Sequence, residues 1–238
     1  MKKYIFLITG LIITGSVFAQ KKTVISDANA EVRNVKNFHA IHVSHAINVY
    51  LTQSDEEAVA VSARDTKYRD RIRTEVKNGV LRIWYDNEGW NWSNDNKKLK
   101  AYVSVKTLDE LNASGASDIM VDGTISGDKL DIELSGASDF KGSIKMNELN
   151  LDQSGASDVT ISGSAGKVTI KASGASDVKG YDLITENCDA HASGASDIKI
   201  SVNKELSAHA SGASSIYYKG TAVIRDLHSN GASSVGKN

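Results

Sequence analysis

The pentapeptide Ser114-Gly115-Ala116-Ser117-Asp118 decides the fold, because it recurs through the second half of this 238-residue chain. The same five letters stand at 135–139, 154–158, 173–177 and 193–197, and the variants SGASS and NGASS stand at 211–215 and 230–234. The glycines of successive copies are 18 to 21 residues apart. A period of this size is typical of one coil of a β-solenoid or of one leucine-rich repeat.

The segments between the motifs favour the solenoid. They alternate apolar and polar residues, as in Leu130, Ile132 and Leu134, which is the pattern of strands. They lack the Leu and Asn consensus of a leucine-rich repeat, and helical periodicity is missing. The sequence therefore predicts an all-β fold: a right-handed, single-stranded parallel β-helix with coils of about 19 residues and a β-rich N-terminal portion.

Aligning the copies predicts three columns along the stack of coils. The glycines are expected to form the corners, because glycine adopts positive φ without strain, and the alanine beside each glycine to tuck under the bend. These structural turn residues are Gly115, Gly136, Gly155, Gly174, Gly194, Gly212 and Gly231. The residue after each motif is apolar and expected to face inward: Ile119, Phe140, Val159, Val178, Ile198, Ile216 and Val235. A second inward column lies three residues before each motif: Leu111, Ile132, Leu151, Ile170, Ala190, Ala208 and Leu227.

The N-terminus has the pattern of a secretory signal peptide. A basic start is followed by an apolar run from Tyr4 to Phe18 and by small residues up to Ala19, after which cleavage is expected. The predicted organisation is a signal peptide at 1–19, a linker at 20–37, a β-rich part or cap at 38–106 and the repeat solenoid at 107–238. No second apolar run of membrane length follows, so no integral membrane segment is expected after cleavage.

The net charge and the cysteine content limit the kinds of partner and of covalent cross-link that are expected. The formal net charge is −1, which gives no electrostatic support for nucleic acid as a partner. The single thiol, Cys188, has no partner for an internal disulfide and is interpreted as a small buried residue.

The part before the repeats is also strand-like. Alternating apolar residues run from Phe38 to Val61, and Asn78-Gly79 between two such runs predicts a hairpin. The charged stretch from Arg64 to Arg73 is compatible with a short helix. This part is expected to continue the solenoid or to cap it.

The chain resembles the bacterial putative auto-transporter adhesin head domains, also called GIN domains, from about Phe38 to Gly231. The resemblance rests on Ala46-Ile47-Asn48-Val49-Tyr50-Leu51, on Asn78-Gly79-Val80-Leu81-Arg82-Ile83 and on the serial SGAS motifs. The family usually has Gly where this chain has Ala46, so the tight turn there is expected to be slightly altered. The resemblance implies a right-handed β-helix exported from a Bacteroidetes-like cell, with a role in adhesion.

Two polar columns and one loop are candidate sites. Five aspartates, expected to stack about 4.8 Å apart, are interpreted as turn-forming side chains, with Ca²⁺ binding as the alternative. They are Asp118, Asp139, Asp158, Asp177 and Asp197. Another outward column ends in His191, His209 and His228, which a transition metal could share, although without a carboxylate partner such histidines are expected to be simply solvated. The serines of the motif, such as Ser138, are expected to hydrogen-bond along the stack.

Trp90 and Trp92 lie in the polar loop from Asp86 to Lys98. Such rings stack on sugars or anchor a partner protein, or else fold back over the strands as a lid.

The sequence favours a scaffold over an enzyme. Right-handed β-helices also include polysaccharide lyases and hydrolases, but those sites need an irregular cleft with clustered acids, and these coils are nearly uniform in length. The predicted function is a non-catalytic exported scaffold, adhesin-like, in the periplasm, on the outer surface or released. Its partner is an unidentified glycan or protein of the cell envelope, and no cofactor is expected other than the Ca²⁺ alternative. The alternative function is a polysaccharide-binding or polysaccharide-degrading β-helix protein.

Overall fold

A computed structural model describes residues 27–87 and 96–238 of the chain. Within these ranges, strands and one short helix follow one another along the chain. They are β1 (Glu31–Arg33), β2 (Ala40–Val43), β3 (Asn48–Gln53), β4 (Ala58–Ser62), α1 (Thr66–Arg69), β5 (Ile72–Lys77), β6 (Val80–Tyr85), β7 (Lys100–Val105), β8 (Glu110–Ala113), β9 (Ile119–Leu134), β10 (Phe140–Gln153), β11 (Asp158–Ala172), β12 (Asp177–Ala192), β13 (Asp197–Gly212), β14 (Ser215–Lys219), β15 (Val223–Gly231) and β16 (Ser234–Lys237).

The second half of the chain is a parallel β-solenoid, as the repeat predicts. Each of the strands β9 to β13 forms most of one coil, and each pairs in parallel with the coils on either side. The register places equivalent motif positions next to each other, so that Phe140 pairs with Ile119 on one side and with Val159 on the other. The all-β solenoid with coils of about 19 residues is confirmed.

The two apolar columns form the interior. Six of the seven residues that follow a motif are fully buried, and Val235 in the last coil is half-buried. Leu227 is 47% exposed, so its predicted place in the core is wrong. Its strand, β15, pairs with β13, and among the described residues no further strand covers its other side. Cys188 is buried within the same interior, as predicted.

The N-terminal strands extend both flanks of the solenoid in an order that differs from the chain order. On one flank β2 lies between β6 and β8, and on the other flank β3 lies between β7 and β9, all in parallel. The coil formed by β2 and β3 therefore stands directly on the first repeat. The coil formed by β6 and β7, which come later in the chain, stands outside it.

Antiparallel strands close this end of the stack. β5 and β6 form the hairpin predicted at Asn78-Gly79, where both turn residues have positive φ. On the other flank β4 pairs antiparallel with β7, and β1, which lies within the predicted linker range 20–37, pairs with β4. The short helix predicted near Arg64 to Arg73 is α1. Within the described residues, no helix is long and apolar enough to cross a membrane.

Candidate functional site

The corner of each coil requires glycine for two reasons. The seven motif glycines all have positive φ, between 75° and 84°. They also stack on one another: a Cβ atom on Gly155 would lie 2.3 Å from the carbonyl oxygen of Gly136, and one on Gly174 would lie 2.4 Å from that of Gly155. A side chain here would therefore strain its own turn and also displace the next coil.

The motif serine, and not the motif alanine, turns inward at the corner. The alanines are exposed, whereas six of the seven serines after them are fully buried and Ser233 in the last motif is half-buried, so the prediction that alanine tucks under the bend is wrong. Ser176 shows why a hydroxyl is used here: its Oγ donates to the carbonyl oxygen of Ser173, 2.7 Å away, within the same turn. The serines also link coils, as predicted, because the N–H of Ser117 donates to Oγ of Ser138 at 3.3 Å.

An additional corner without glycine lies at Ser44-His45-Ala46-Ile47, between β2 and β3. The N–H of Ser114 donates to the carbonyl oxygen of Val43, and the N–H of Ile47 donates to Oγ of Ser117, which repeats the pattern between regular coils. His45 and Ala46 both have positive φ, 67° and 59°. The family resemblance predicted a tight turn at Ala46, but the sequence did not identify it as a further corner of the solenoid, because its letters do not match the motif.

The coil outside this corner replaces the four-residue turn with the long segment 86–99. The N–H groups of Ser44 and Asn48 donate to the carbonyl oxygens of Ile83 and Leu99, so the two coils remain paired on both sides of the segment. Between the pairings lies an open depression of about 1000 Å³. Its lining includes His45, Tyr85, Asn87, Asn96, Lys98 and Gly115.

The predicted tryptophan site lies, in the sequence, between residues that line this depression. Asn87 and Asn96, which precede and follow the loop's central part, both line the depression. Trp90 and Trp92 lie outside the described residues, so their role stays a prediction. The depression itself was not predicted from the sequence.

Tyr85 lines the depression and is almost fully buried, with two cationic side chains near its ring. The ammonium group of Lys97 lies 5.1 Å from the centre of its ring, and the guanidinium of Arg71 lies 5.9 Å from it. The Tyr85 hydroxyl is shielded from solvent and has no hydrogen-bond partner among the described residues. Burial raises the pKa of this hydroxyl above its ordinary value, so Tyr85 remains a neutral donor.

The aspartate column lies on the outer side of the coils and is held by local contacts. The N–H of Asp158 donates to Oδ1 of Asp139 at 3.1 Å, and Nζ of Lys179 lies 3.5 Å from Oδ2 of Asp158. Burial, followed by the charge of Asp139, raises the pKa of Asp118. Ca²⁺ binding by the column stays a prediction. Among the described residues, the places where three ligand atoms lie within 4.8 Å of one another are on the histidine column.

The histidine column differs from its prediction because it does have carboxylate partners. Asp189 precedes His191 by two residues on β12, and its Oδ1 lies 3.0 Å from His191 Nε2. Asp226 precedes His228 by two residues on β15, and its carboxylate reaches both His228 Nδ1 at 2.9 Å and His209 Nε2 at 3.6 Å. The sequence carried the signal as Asp-x-His at 189–191 and 226–228, since residues i and i+2 of a strand share a face.

Comparisons with known proteins agree with the fold. The sequence model of the family described as "Putative auto-transporter adhesin, head GIN domain" matches residues 37–222. A comparison with curated proteins finds no match.

Solved structures of similar fold come from Bacteroides and Parabacteroides species. A putative adhesin of Bacteroides fragilis is 24% identical with a TM-score of 0.81, over 88% of this chain and 96% of that one. A putative adhesin of Parabacteroides distasonis is 21% identical with a TM-score of 0.69, over 88% and 96%. A protein of Parabacteroides distasonis named as a putative lipid binding protein is 20% identical with a TM-score of 0.59, over 89% and 98%. At these identities the likeness shows a shared fold.

Proposed function

Because this chain belongs to the family of the putative auto-transporter adhesin, head GIN domain, we propose that it is an adhesin-like binding scaffold of the cell envelope and not an enzyme. The regular coils support this proposal because they repeat one environment. Each of the seven corners has the same glycine, six of them have the same buried serine, and five have the same aspartate. An active site depends on a singular arrangement of unlike groups, and a periodic column does not provide one.

We infer that the partner binds at the N-terminal end of the solenoid, over the depression beside the corner at Ser44-His45-Ala46-Ile47. The observation that carries this inference is an open concavity of about 1000 Å³ beside this corner, lined by Asn87 and Asn96 as well as by residues of the corner itself. Its lining combines an aromatic ring, amide side chains and lysines, which are groups that bind sugar hydroxyls or a protein surface. Trp90 and Trp92 follow Asn87 closely in the chain and add two aromatic rings to the same segment.

Export is part of the proposal and rests on the sequence. The basic start, the apolar run and the small residues ending at Ala19 have the pattern of a signal peptide, which directs the chain to the periplasm, the outer surface or the medium.

The experiment is a binding survey of the mature chain on a glycan array, with phospholipid vesicles as a second arm. The vesicle arm is included because one structural neighbour is named as a putative lipid binding protein. Wild type is compared with the Trp90→Ala, Trp92→Ala double variant. Trp84→Ala is the matched control, because Trp84 lies on β6 and not in the loop.

We expect glycan binding by wild type and by the control, and at least about tenfold weaker binding by the double variant, because aromatic anchors dominate such contacts. Circular dichroism checks that all three variants are folded. Equal binding by the double variant would contradict the assignment of the loop. Binding to vesicles alone would replace the glycan with a lipid as partner, and turnover of a bound glycan would contradict the non-catalytic proposal.

A further inference from the structure

The histidine column has the features of a metal-binding site, separate from the depression. His191, His209 and His228 pair in register on β12, β13 and β15. The rings of His191 and His209 are stacked with centres 4.7 Å apart and planes 7° apart, and those of His209 and His228 are stacked at 5.0 Å. The solenoid thus brings imidazoles from successive coils into one row.

Carboxylates complete two overlapping groups of ligands along this row. One atom from each of Asp189, His191 and His209 lies within 4.8 Å of the others, and the same holds for His209, Asp226 and His228. Both groups contain His209, so the two sites compete for one central ligand. Imidazole nitrogen with carboxylate oxygen is a ligand set suited to Zn²⁺, Ni²⁺ and Cu²⁺.

Two observations favour the group with Asp189. Its three side chains are half-buried, and both of its strands pair with coils on each side, whereas Asp226 and His228 are exposed on β15 at the open end. In addition, Oδ1 of Asp189 is shielded from solvent and accepts no hydrogen bond from any described residue, although His191 Nε2 lies 3.0 Å away. A carboxylate oxygen that is shielded and unsatisfied is stabilised by a cation.

We propose that Asp189, His191 and His209 bind a divalent transition metal ion, with solvent completing the coordination. The ligands of a tetrahedral Zn²⁺ ion lie about 2.1 Å from the metal, hence roughly 3.4 Å from one another. The three ligand atoms lie within 4.8 Å of one another, so the side chains need only to turn toward a common centre. Partial exposure permits these rotations.

The test is a calorimetric titration of the full mature chain with ZnCl₂ at neutral pH, after chelator treatment and removal of any histidine tag. Wild type is expected to bind one ion per chain. His209→Gln and the nearly isosteric Asp189→Asn are each expected to weaken binding at least about tenfold, because each removes a ligand. Thermal unfolding without metal shows that both variants are folded.

His42→Gln is the matched control, because His42 is also paired with a carboxylate, with its Nε2 2.6 Å from Glu110 Oε1, but lies at the other end of the same column. It should change Zn²⁺ affinity less than about twofold, as expected for a distant site. The proposal is overturned if wild type does not bind up to millimolar Zn²⁺, if Asp189→Asn binds as wild type does, or if His42→Gln weakens binding as strongly. It is likewise overturned if Asp226→Asn abolishes binding and Asp189→Asn does not, since the ion would then lie in the other group.

Discussion

The regular corners and the corner at Ser44-His45-Ala46-Ile47 occupy equivalent places in their coils but differ in sequence and backbone: only the glycine has positive φ in a regular corner, whereas both His45 and Ala46 do. In the regular coils each glycine lies under the next one, so that a Cβ on Gly155 would lie 2.3 Å from the oxygen of Gly136. At the outer corner His45 has a φ of 67°, yet its side chain is exposed and its Nδ1 contacts Oγ of Ser44 at 2.7 Å. A side chain at positive φ is therefore tolerated at this exposed corner, whereas in the regular coils the stacking of corners leaves no room for one.

The regular coils and the N-terminal end also differ in the variety of side chains that they present. Where a coil is stacked on both sides, its corner contacts the backbone of the next corner, and each coil repeats the residues of the one before it. Beside the corner at Ser44-His45-Ala46-Ile47, by contrast, side chains of several kinds line a concavity. The irregular end is thus the place where unlike groups come together.

The largest expected effect on the free energy of unfolding comes from adding a side chain at a stacked corner. A matched variant separates the cost of the clash with the next coil from the cost of positive φ. Gly155→Ala should lower the free energy of unfolding by about 4 kcal/mol, since it adds the strain of positive φ and a displaced coil. Gly123→Ala is the matched control: Gly123 has a φ of 84°, but a Cβ there would meet nothing within 4 Å. Its expected cost is about 1 kcal/mol. Urea unfolding followed by circular dichroism measures both, and equal costs would refute the role of stacking.

A smaller effect compares a covered coil with the uncovered last coil. Ile170→Ala should lower the free energy of unfolding by about 3 kcal/mol, because Ile170 is 1% exposed and its truncation leaves a cavity. Leu227 occupies the equivalent column position but is 47% exposed, so Leu227→Ala should cost less than about 1 kcal/mol. The same unfolding measurement checks both variants. A large loss for Leu227→Ala would mean that something covers the last coil in solution.

The smallest effect concerns the aspartate column. Because burial and the charge of Asp139 raise the pKa of Asp118, the folded state binds this proton more readily than the unfolded state does. The charged form therefore costs stability above the raised pKa, and this cost disappears as the pH falls through it. Asp118→Asn should raise the free energy of unfolding at neutral pH by less than about 1 kcal/mol, with a smaller gain near pH 4. Unfolding at the two pH values checks this, and a loss of stability at neutral pH would show that the carboxylate is needed.

The sequence predicted the parts that depend on local pattern and exact repetition. The seven glycine corners, the apolar columns and the Asn78-Gly79 hairpin follow from φ preferences and from a strand period of two. The exposed Leu227 could not be anticipated from its column, because its burial depends on a further coil. The sequence also did not show that the serine, and not the alanine, is buried at the corner. That choice depends on the carbonyl oxygen inside the turn to which the serine hydroxyl donates.

Long-range placement was beyond the sequence for a different reason. β2 lies between β6 and the repeats on one flank, and β3 lies between β7 and the repeats on the other. Both placements are set by pairing between distant strands, which no local pattern specifies. The depression follows from that order, so it could not be located either. The carboxylates beside the histidines were within reach, because Asp189 and Asp226 each precede a histidine by two residues on one strand.

The proposed function places the envelope partner at the irregular N-terminal end and not on the corners of the regular coils. Two matched double variants, compared in the glycan binding survey, distinguish these two places. Asn96→Ala with Lys98→Ala removes exposed side chains from the depression, whereas Asn147→Ala with Lys145→Ala removes the same two residue types from the regular coil β10. We expect at least about tenfold weaker binding for the first variant and unchanged binding for the second. Unchanged binding for the first, with loss for the second, would contradict this placement.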